Sequence, residues 1–301
     1  MHNTSKKNSN PLYLLAIFPP LFWAGNFIIG KLILVDIPPV HLSFLRWLAC
    51  SVILLPFSYK TFRDYRKEIS SHLPKILIFS LLGIVGFNCF VYVGLVKTTA
   101  INAAIINSSM PIVTLLLAIF VVGEPLTRNR VIGVSLVLLG IAWISFEGNA
   151  ERLSTFSFGS GDIFILLGVL CWALYTVLAR RWPVAMPLVN FVFLISFIGT
   201  LFHIPFLLLE KSPSLQIYLE PYIFISIIYL GIFPSFMAYI LWVKAIQHMG
   251  PGKTSLFMYF MPIFSTILAV VFLKEQLFLY HLIGFLFIAL GLYIAMRLTK
   301  T

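Results

Sequence analysis

Ten stretches of this chain are apolar over about the 20 residues a helix needs to cross a lipid bilayer. They run over roughly 11–33, 40–58, 74–96, 100–122, 131–147, 161–181, 187–209, 221–243, 254–273 and 282–297. A helix satisfies its own backbone hydrogen bonds, which lipid cannot do for it, so runs of this kind become spanning helices. The ten runs consume most of the 301 residues, and the loops are too short to hold a soluble domain. Any activity must therefore lie within the helices. Only 10% of residues are charged and the mean hydropathy is +1.00, whereas soluble domains carry about 25% charge. The first run is too long for a signal-peptide core and lacks a small-residue cleavage site, so it reads as a retained span.

The net charge of +11 could suit nucleic acid, but its placement argues otherwise. With a cytoplasmic N-terminus, the inner segments hold Lys6, Lys7, Lys60, Arg63, Arg66, Lys67, Lys75, Arg128, Arg130, Arg180, Arg181, Lys244, Lys253, Arg297 and Lys300. The outer segments hold only Lys31, Lys97, Arg152, Lys211 and Lys274. This bias follows the positive-inside rule and predicts that both termini face the cytoplasm. No nucleic-acid partner is expected. Cys50, Cys89 and Cys171 all lie inside apolar runs, with no CxxC pair or His/Cys cluster. Neither a metal site nor a disulfide framework is indicated, and no cofactor is expected.

The chain also repeats itself. Shifting by 151 residues maps "MPIVTLLLAIFVVGE" (110–124) onto "MPIFSTILAVVFLKE" (261–275), Gly133 onto Gly284 and Gly140 onto Gly291. Shifting by 149 maps Trp23–Ala24 onto Trp172–Ala173. Spans 1–5 therefore correspond to spans 6–10. Five is odd, so the second half crosses the membrane in the opposite sense. Such inverted repeats build many secondary transporters, with the substrate site near the midplane between the halves. The expected fold is an all-α polytopic membrane protein of ten transmembrane helices in two inverted five-helix repeats. Residues 1–10 would form a cytoplasmic tail, 11–147 the first repeat, 148–160 an outer linker, 161–297 the second repeat, and 298–301 a second cytoplasmic tail.

The chain resembles ten-span members of the drug/metabolite transporter superfamily, EamA family. The resemblance lies in "FWAGNFIIGK" (22–31), "LSFLRWLA" (42–49), "MPIVTLLLAIFVVGEPLTRNRVIGVSLVLLGI" (110–141) and "MPIFSTILAVVFLKEQLFLYHLIGFLFIALGL" (261–292), within about residues 11–297. It implies a bacterial inner-membrane carrier working by alternating access, in a family linked to export of amino acids and other metabolites and sometimes to uptake. Small multidrug members of the superfamily use a glutamate in their first span. Here that span has Asn26 and no acid. This departure favours neutral or zwitterionic cargo over proton-coupled exchange of organic cations.

Polar groups at membrane depth are costly and need a reason, either an interhelical hydrogen bond or a wet cavity. Residues three or four apart share a helix face. That pairs Trp23 with Asn26, Trp172 with Tyr175, and Asn88 with Tyr92. Asn102, Asn107 and Ser108 lie in span 4, Tyr239 in span 8 and Tyr259 in span 9; Tyr239 maps onto Asn88 and Tyr259 onto Ser108. These eleven residues are the expected cavity lining. Pro111 and Pro262 should kink their helices. Arg46 either snorkels or pairs with another helix's carbonyls, or it meets a substrate carboxylate. Glu124 and Glu275 are expected to be structural, favouring the amide-rich start of the next helix. Gly133, Gly140, Gly284 and Gly291 should let spans 5 and 10 pack closely.

The function expected from these features is transport of a small molecule across the bilayer, most readily export of amino acids or related amphipathic metabolites, by a protein working as a monomer. Uptake of a nucleotide-like or cofactor-like metabolite, or drug efflux, is the alternative. Enzymatic activity is not expected. His2, His41, His72, His203, His248 and His281 are scattered and mostly near span ends, where no paired catalytic groups arise.

Overall fold

The computed structural model describes residues 15–98, 100–149, 151, 158–183 and 185–297. The expected tails at 1–10 and 298–301, and much of the expected linker at 148–160, lie outside them. Among the described residues all regular structure is helical. In chain order the spans are α1 (Phe18–Ile33), α2 (Pro39–Ser58), α3 (Arg66–Phe79, Ser80–Gly86, Phe87–Lys97), α4 (Ala100–Asn107, Met110–Val122) and α5 (Arg128–Ser145). They continue as α6 (Ser160–Arg181), α7 (Leu188–Leu207), α8 (Pro221–Leu230, Gly231–Met237, Ala238–Met249), α9 (Pro251–Ser255, Leu256–Phe260, Met261–Leu273) and α10 (Leu279–Met296). Nine of these helices are long and apolar enough to cross a membrane. The tenth, α1, is described over 16 residues. Exposed Val52, Phe120, Leu139 and Leu286 are among the side chains that form the apolar outer face of the bundle.

Local chemistry places the helix ends. Proline occupies the first turn of α1, α2, α8 and α9, where its missing N–H costs nothing. The Thr127 hydroxyl accepts the Arg130 N–H and starts α5. Two carboxylates tie together segments far apart in sequence. Glu210, after α7, accepts the backbone N–H of Val40 (2.9 Å) and His41 (3.2 Å) at the start of α2 and also pairs with the His41 imidazole. Asp162, in the first turn of α6, is fully buried and accepts from Thr98, Asn102 and the Gly159 N–H. The segment Met110–Val122 ends on Gly123 (φ 73°), and its repeat counterpart ends on Lys274 (φ 57°). The same left-handed cap is therefore a glycine in one half and a strained lysine in the other.

The two halves repeat a feature that has no mark in composition. Ser80–Gly86 in α3 and Gly231–Met237 in α8 are π-helical. They coincide under the same 151-residue shift that relates Glu124 to Glu275. A π turn is wider than an α turn and interrupts the regular hydrogen-bond ladder.

Packing follows the pseudo-symmetry. Helix α5 lies along α10, α2 along α7, α6 against α3, and α8 against α1. The α5–α10 contact is backbone against backbone. A Cβ added at Gly133 would sit 2.4 Å from the Gly291 carbonyl, and one at Gly291 would sit 2.5 Å from that of Gly133. Gly140 and Gly284 block each other in the same way, at 2.7 and 2.8 Å. The four glycines stand at this helix contact, away from the polar interior.

Candidate functional site

At the centre of the bundle Arg46, on α2, is 2% exposed. Its Nε donates to Ser235 Oγ (2.6 Å), and its Nη2 to the Pro234 carbonyl (3.2 Å). Its Nη1 donates to Asn88 Oδ1 (2.9 Å), Asn26 Oδ1 (3.2 Å) and the Tyr92 hydroxyl (3.4 Å). The guanidinium also lies 5.0 Å from the Trp47 ring centroid. A cation is thus dissolved among neutral dipoles from α1, α2, α3 and α8. Of the readings open for Arg46, pairing with the carbonyl and amide acceptors of other helices is the one the geometry displays.

The π segments supply part of this network. Pro234 and Gly83 are counterparts under the 151 shift. The Pro234 carbonyl accepts from Trp23 Nε1 (3.0 Å) as well as from Arg46. The Gly83 carbonyl accepts the Tyr239 hydroxyl and Asn88 Nδ2. A first-half indole thus braces the second-half bulge, and a second-half phenol braces the first. Around these bonds the rings of Trp23, Trp47, Trp172, Tyr175, Tyr239 and Trp242 pack edge-on or stacked. Centroid separations include 5.0 Å (Trp23–Trp172), 4.9 Å (Trp47–Tyr239) and 5.3 Å (Trp172–Tyr175).

Beside this core a cavity of about 540 Å³ opens between α1, α3, α4, α5 and α9. That is within the usual range for small-molecule sites. It extends to Leu34, Val96 and Ser145 at the ends of α1, α3 and α5. Those ends lie opposite the side where Arg128, Arg130, Arg180 and Arg181 cluster, called here the basic side. Most of its wall is apolar or aromatic, and none of the described residues lining it carries a charge. Its polar groups are Asn26, Tyr92, Asn107, Ser108, Ser145, Tyr259, Ser265 and Thr266. Two of these atoms are buried and lack a hydrogen-bond partner, Asn107 Oδ1 and the Tyr259 hydroxyl. Each such orphan costs about 1–3 kcal/mol. A separate void of about 20 Å³, bordered by Trp23, Arg46 and Trp172, shares Asn26 and Asn107 with the cavity.

The eleven expected lining residues divide accordingly. Asn26, Tyr92, Asn107, Ser108 and Tyr259 line the large cavity. Trp23 and Trp172 border only the small void. Asn88, Tyr175 and Tyr239 line neither, because they are consumed in the Arg46 network and the ring cluster. Asn102 also lines neither and points instead to Asp162 (3.1 Å). Pro111 and Pro262 stand in the cavity wall, in the first turn of their segments. The helix breaks precede them, as a turn at Ser108–Ser109 and a 3-10 stretch at Leu256–Phe260. The Ser108 and Ser109 hydroxyls cover the carbonyls of Ile105 and Ile106, so those carbonyls are not bare. Glu124 does not serve the helix that follows it. It accepts the Gly252 N–H of α9 (3.1 Å) and pairs with Arg130 (3.1 Å). Glu275 is exposed. Sequence reasoning passed over Trp47, Trp242, Ser235, Asp162 and Glu210. Only Asp162 left a signal, an acid three residues after Gly159 at a helix start.

The description "EamA-like transporter family" matches residues 10–146 and 159–297, one match for each half. An uncharacterized transporter of Bacillus subtilis, YyaM, is 24% identical over 93% of this chain and 92% of its own. An uncharacterized transporter of Archaeoglobus fulgidus is 28% identical over 94% and 96%. A WAT1-related protein of Arabidopsis thaliana is 23% identical over 81% and 74%. Among solved structures, one crystal structure superposes with a TM-score of 0.75 at 18% identity, over 95% of this chain and 96% of the other. At that identity it shows the fold alone.

Proposed function

Since this chain belongs to the EamA-like transporter family, we propose that it moves small, neutral or zwitterionic amphipathic metabolites across a bacterial cytoplasmic membrane by alternating access. The reading favours export, with amino acids or related compounds as cargo. The protein is a multi-pass membrane transporter and not an enzyme. The proposal adds the cargo class, the direction, cytoplasmic termini and a monomer as the working unit.

One observation carries the cargo class. The cavity wall is apolar, without charge among its described residues, yet it holds an orphaned acceptor at Asn107 and an orphaned hydroxyl at Tyr259. Such a wall suits a ligand with an apolar or aromatic body and a hydrogen-bonding head. An anionic nucleotide-like cargo would need cations. Arg46, the basic residue at this depth, already donates to five acceptors. The excess of basic residues on one side supports calling that side cytoplasmic. The cavity then faces outward in the state described.

Solute counterflow in proteoliposomes tests this reading, with labelled neutral, aromatic and cationic amino acids and purines, run with and without a pH gradient. Saturable exchange of neutral or aromatic amino acids is expected, together with its loss on Asn107→Ala. Exchange restricted to anionic nucleotides, added to the same panel, or silence across it, would overturn the cargo class.

A further inference from the structure

The repeat is broken at a place where the two halves must differ if one side of the molecule is closed and the other open. On the basic side, the end of α4 packs against the start of α9. There the Glu124 carboxylate accepts the Gly252 N–H through Oε1 and pairs with Arg130 through Oε2, each at 3.1 Å. The fit allows no side chain opposite. A Cβ at Gly250 or Gly252 would lie 2.3 or 2.4 Å from a carboxylate oxygen, and Gly250 has φ +83°.

The 151 shift maps Glu124 onto Glu275, Arg130 onto His281, and Gly252 back onto Ile101 at the start of α4. This second corner is not assembled. The Glu275 carboxylate is exposed and has neither a hydrogen bond nor an ion pair among the described residues. His281 instead turns its Nδ1 to the Phe278 N–H of its own helix (3.1 Å). Between the start of α4 and the end of α9 stands the cavity, lined by Ala103 and Ala104 on one and by Ser265 and Thr266 on the other.

We infer that Glu124 and Glu275 are alternating latches. Glu124 ties α4 to α9 and closes the basic side in the state described. When the transporter turns over, Glu124 releases the Gly252 N–H, and Glu275 takes the pseudo-equivalent backbone N–H at the start of α4, closing the opposite side. A carboxylate on a helix-start N–H is a charge-assisted bond, roughly twice as strong as a neutral one, and it is favoured by the positive end of the helix. One latch lost should change the ratio of the two states by about tenfold. The latches are not twins. The basic-side latch has a permanent cation and a bare glycine, whereas the other has His281 and Ile101. The resting molecule is thereby biased toward the closed basic side.

The inference rests on the alternating-access reading but not on the cargo. The test is pulsed electron-electron resonance on full-length protein in nanodiscs, with Cys50, Cys89 and Cys171 changed to Ala. Spin labels at Leu126→Cys with His248→Cys report the basic side, and labels at Val96→Cys with Leu277→Cys report the other. Glu124→Gln and Gly252→Ala should both lengthen the basic-side distance. Glu275→Gln should deplete the population with a short distance on the opposite side. Both glutamate variants should slow counterflow. Unchanged distance distributions in Glu124→Gln and Glu275→Gln would overturn the inference. The exposed Glu275 keeps the test decisive if Glu124→Gln fails to fold. Shifted distances in a protein that moves none of the tested solutes would leave the latches standing and sink only the cargo assignment.

Discussion

The aromatic core around Arg46 and the cavity next to it are built from the same residue types, yet they do opposite things. Both contain tyrosines, asparagines and breaks in helix geometry. In the core the guanidinium, both π-segment carbonyls and the amide of Asn88 are all engaged. Among the residues that line the cavity, Asn107 Oδ1 and the Tyr259 hydroxyl are buried and unengaged. The core also holds orphans, at Trp47 Nε1, Trp172 Nε1 and the Tyr175 hydroxyl. Of these, only Trp172 borders even the small void. Being unpaired and lining the large cavity is what separates Asn107 and Tyr259 from the polar residues of the core.

That contrast can be broken most heavily at Arg46. Arg46→Met would strand acceptors on α1, α3 and α8 at once, and a loss of about 3 kcal/mol or more is expected. Thermal unfolding in nanodiscs measures it, and a wild-type melting temperature would mean that the network does not join the helices. Three Tyr→Phe changes then sharpen the comparison, since each removes one hydroxyl from a different setting. Tyr259→Phe should lower counterflow about tenfold, the worth of one ligand hydrogen bond, while leaving stability unchanged or slightly raised. Unaltered transport would remove Tyr259 from the site. Tyr239→Phe should cost about 1 kcal/mol of stability through its lost bond to Gly83. Tyr175→Phe has the smallest expected effect, a gain below about 1 kcal/mol from deleting a sealed orphan, with transport intact. A transport defect in Tyr175→Phe that matched the one in Tyr259→Phe would erase the distinction between core and cavity.

The spans were legible because length and hydropathy are local properties, and the ten expected runs overlap the ten helices. The repeat was legible through matched short motifs, which also fixed which helices are counterparts. The division of the polar residues was not legible. Helical spacing tells which residues share a face but not whether that face meets a void or a guanidinium. Asn88 and Asn107 look alike in sequence, and only the arrival of Arg46 from α2 separates them. Asp162 and Glu210 were lost for a related reason. Glu210 reads as ordinary loop charge until the start of α2, far away in the chain, is brought beside it, and Asp162, at its own helix start, gives no sign of the Thr98 and Asn102 side chains it also binds. The π segments were hidden because one extra residue in a turn leaves hydropathy unchanged.

Those two π segments also say something about history. A π turn holds one more residue than the α turn it replaces. In this chain the surplus residue occurs twice, in α3 and α8, at corresponding places. A single insertion into an ancestral five-helix unit, copied when that unit was duplicated, accounts for both. Separate insertions would have had to strike the same turn in two halves that had already diverged. On that account the bulge is older than the ten-helix chain that now carries two of it.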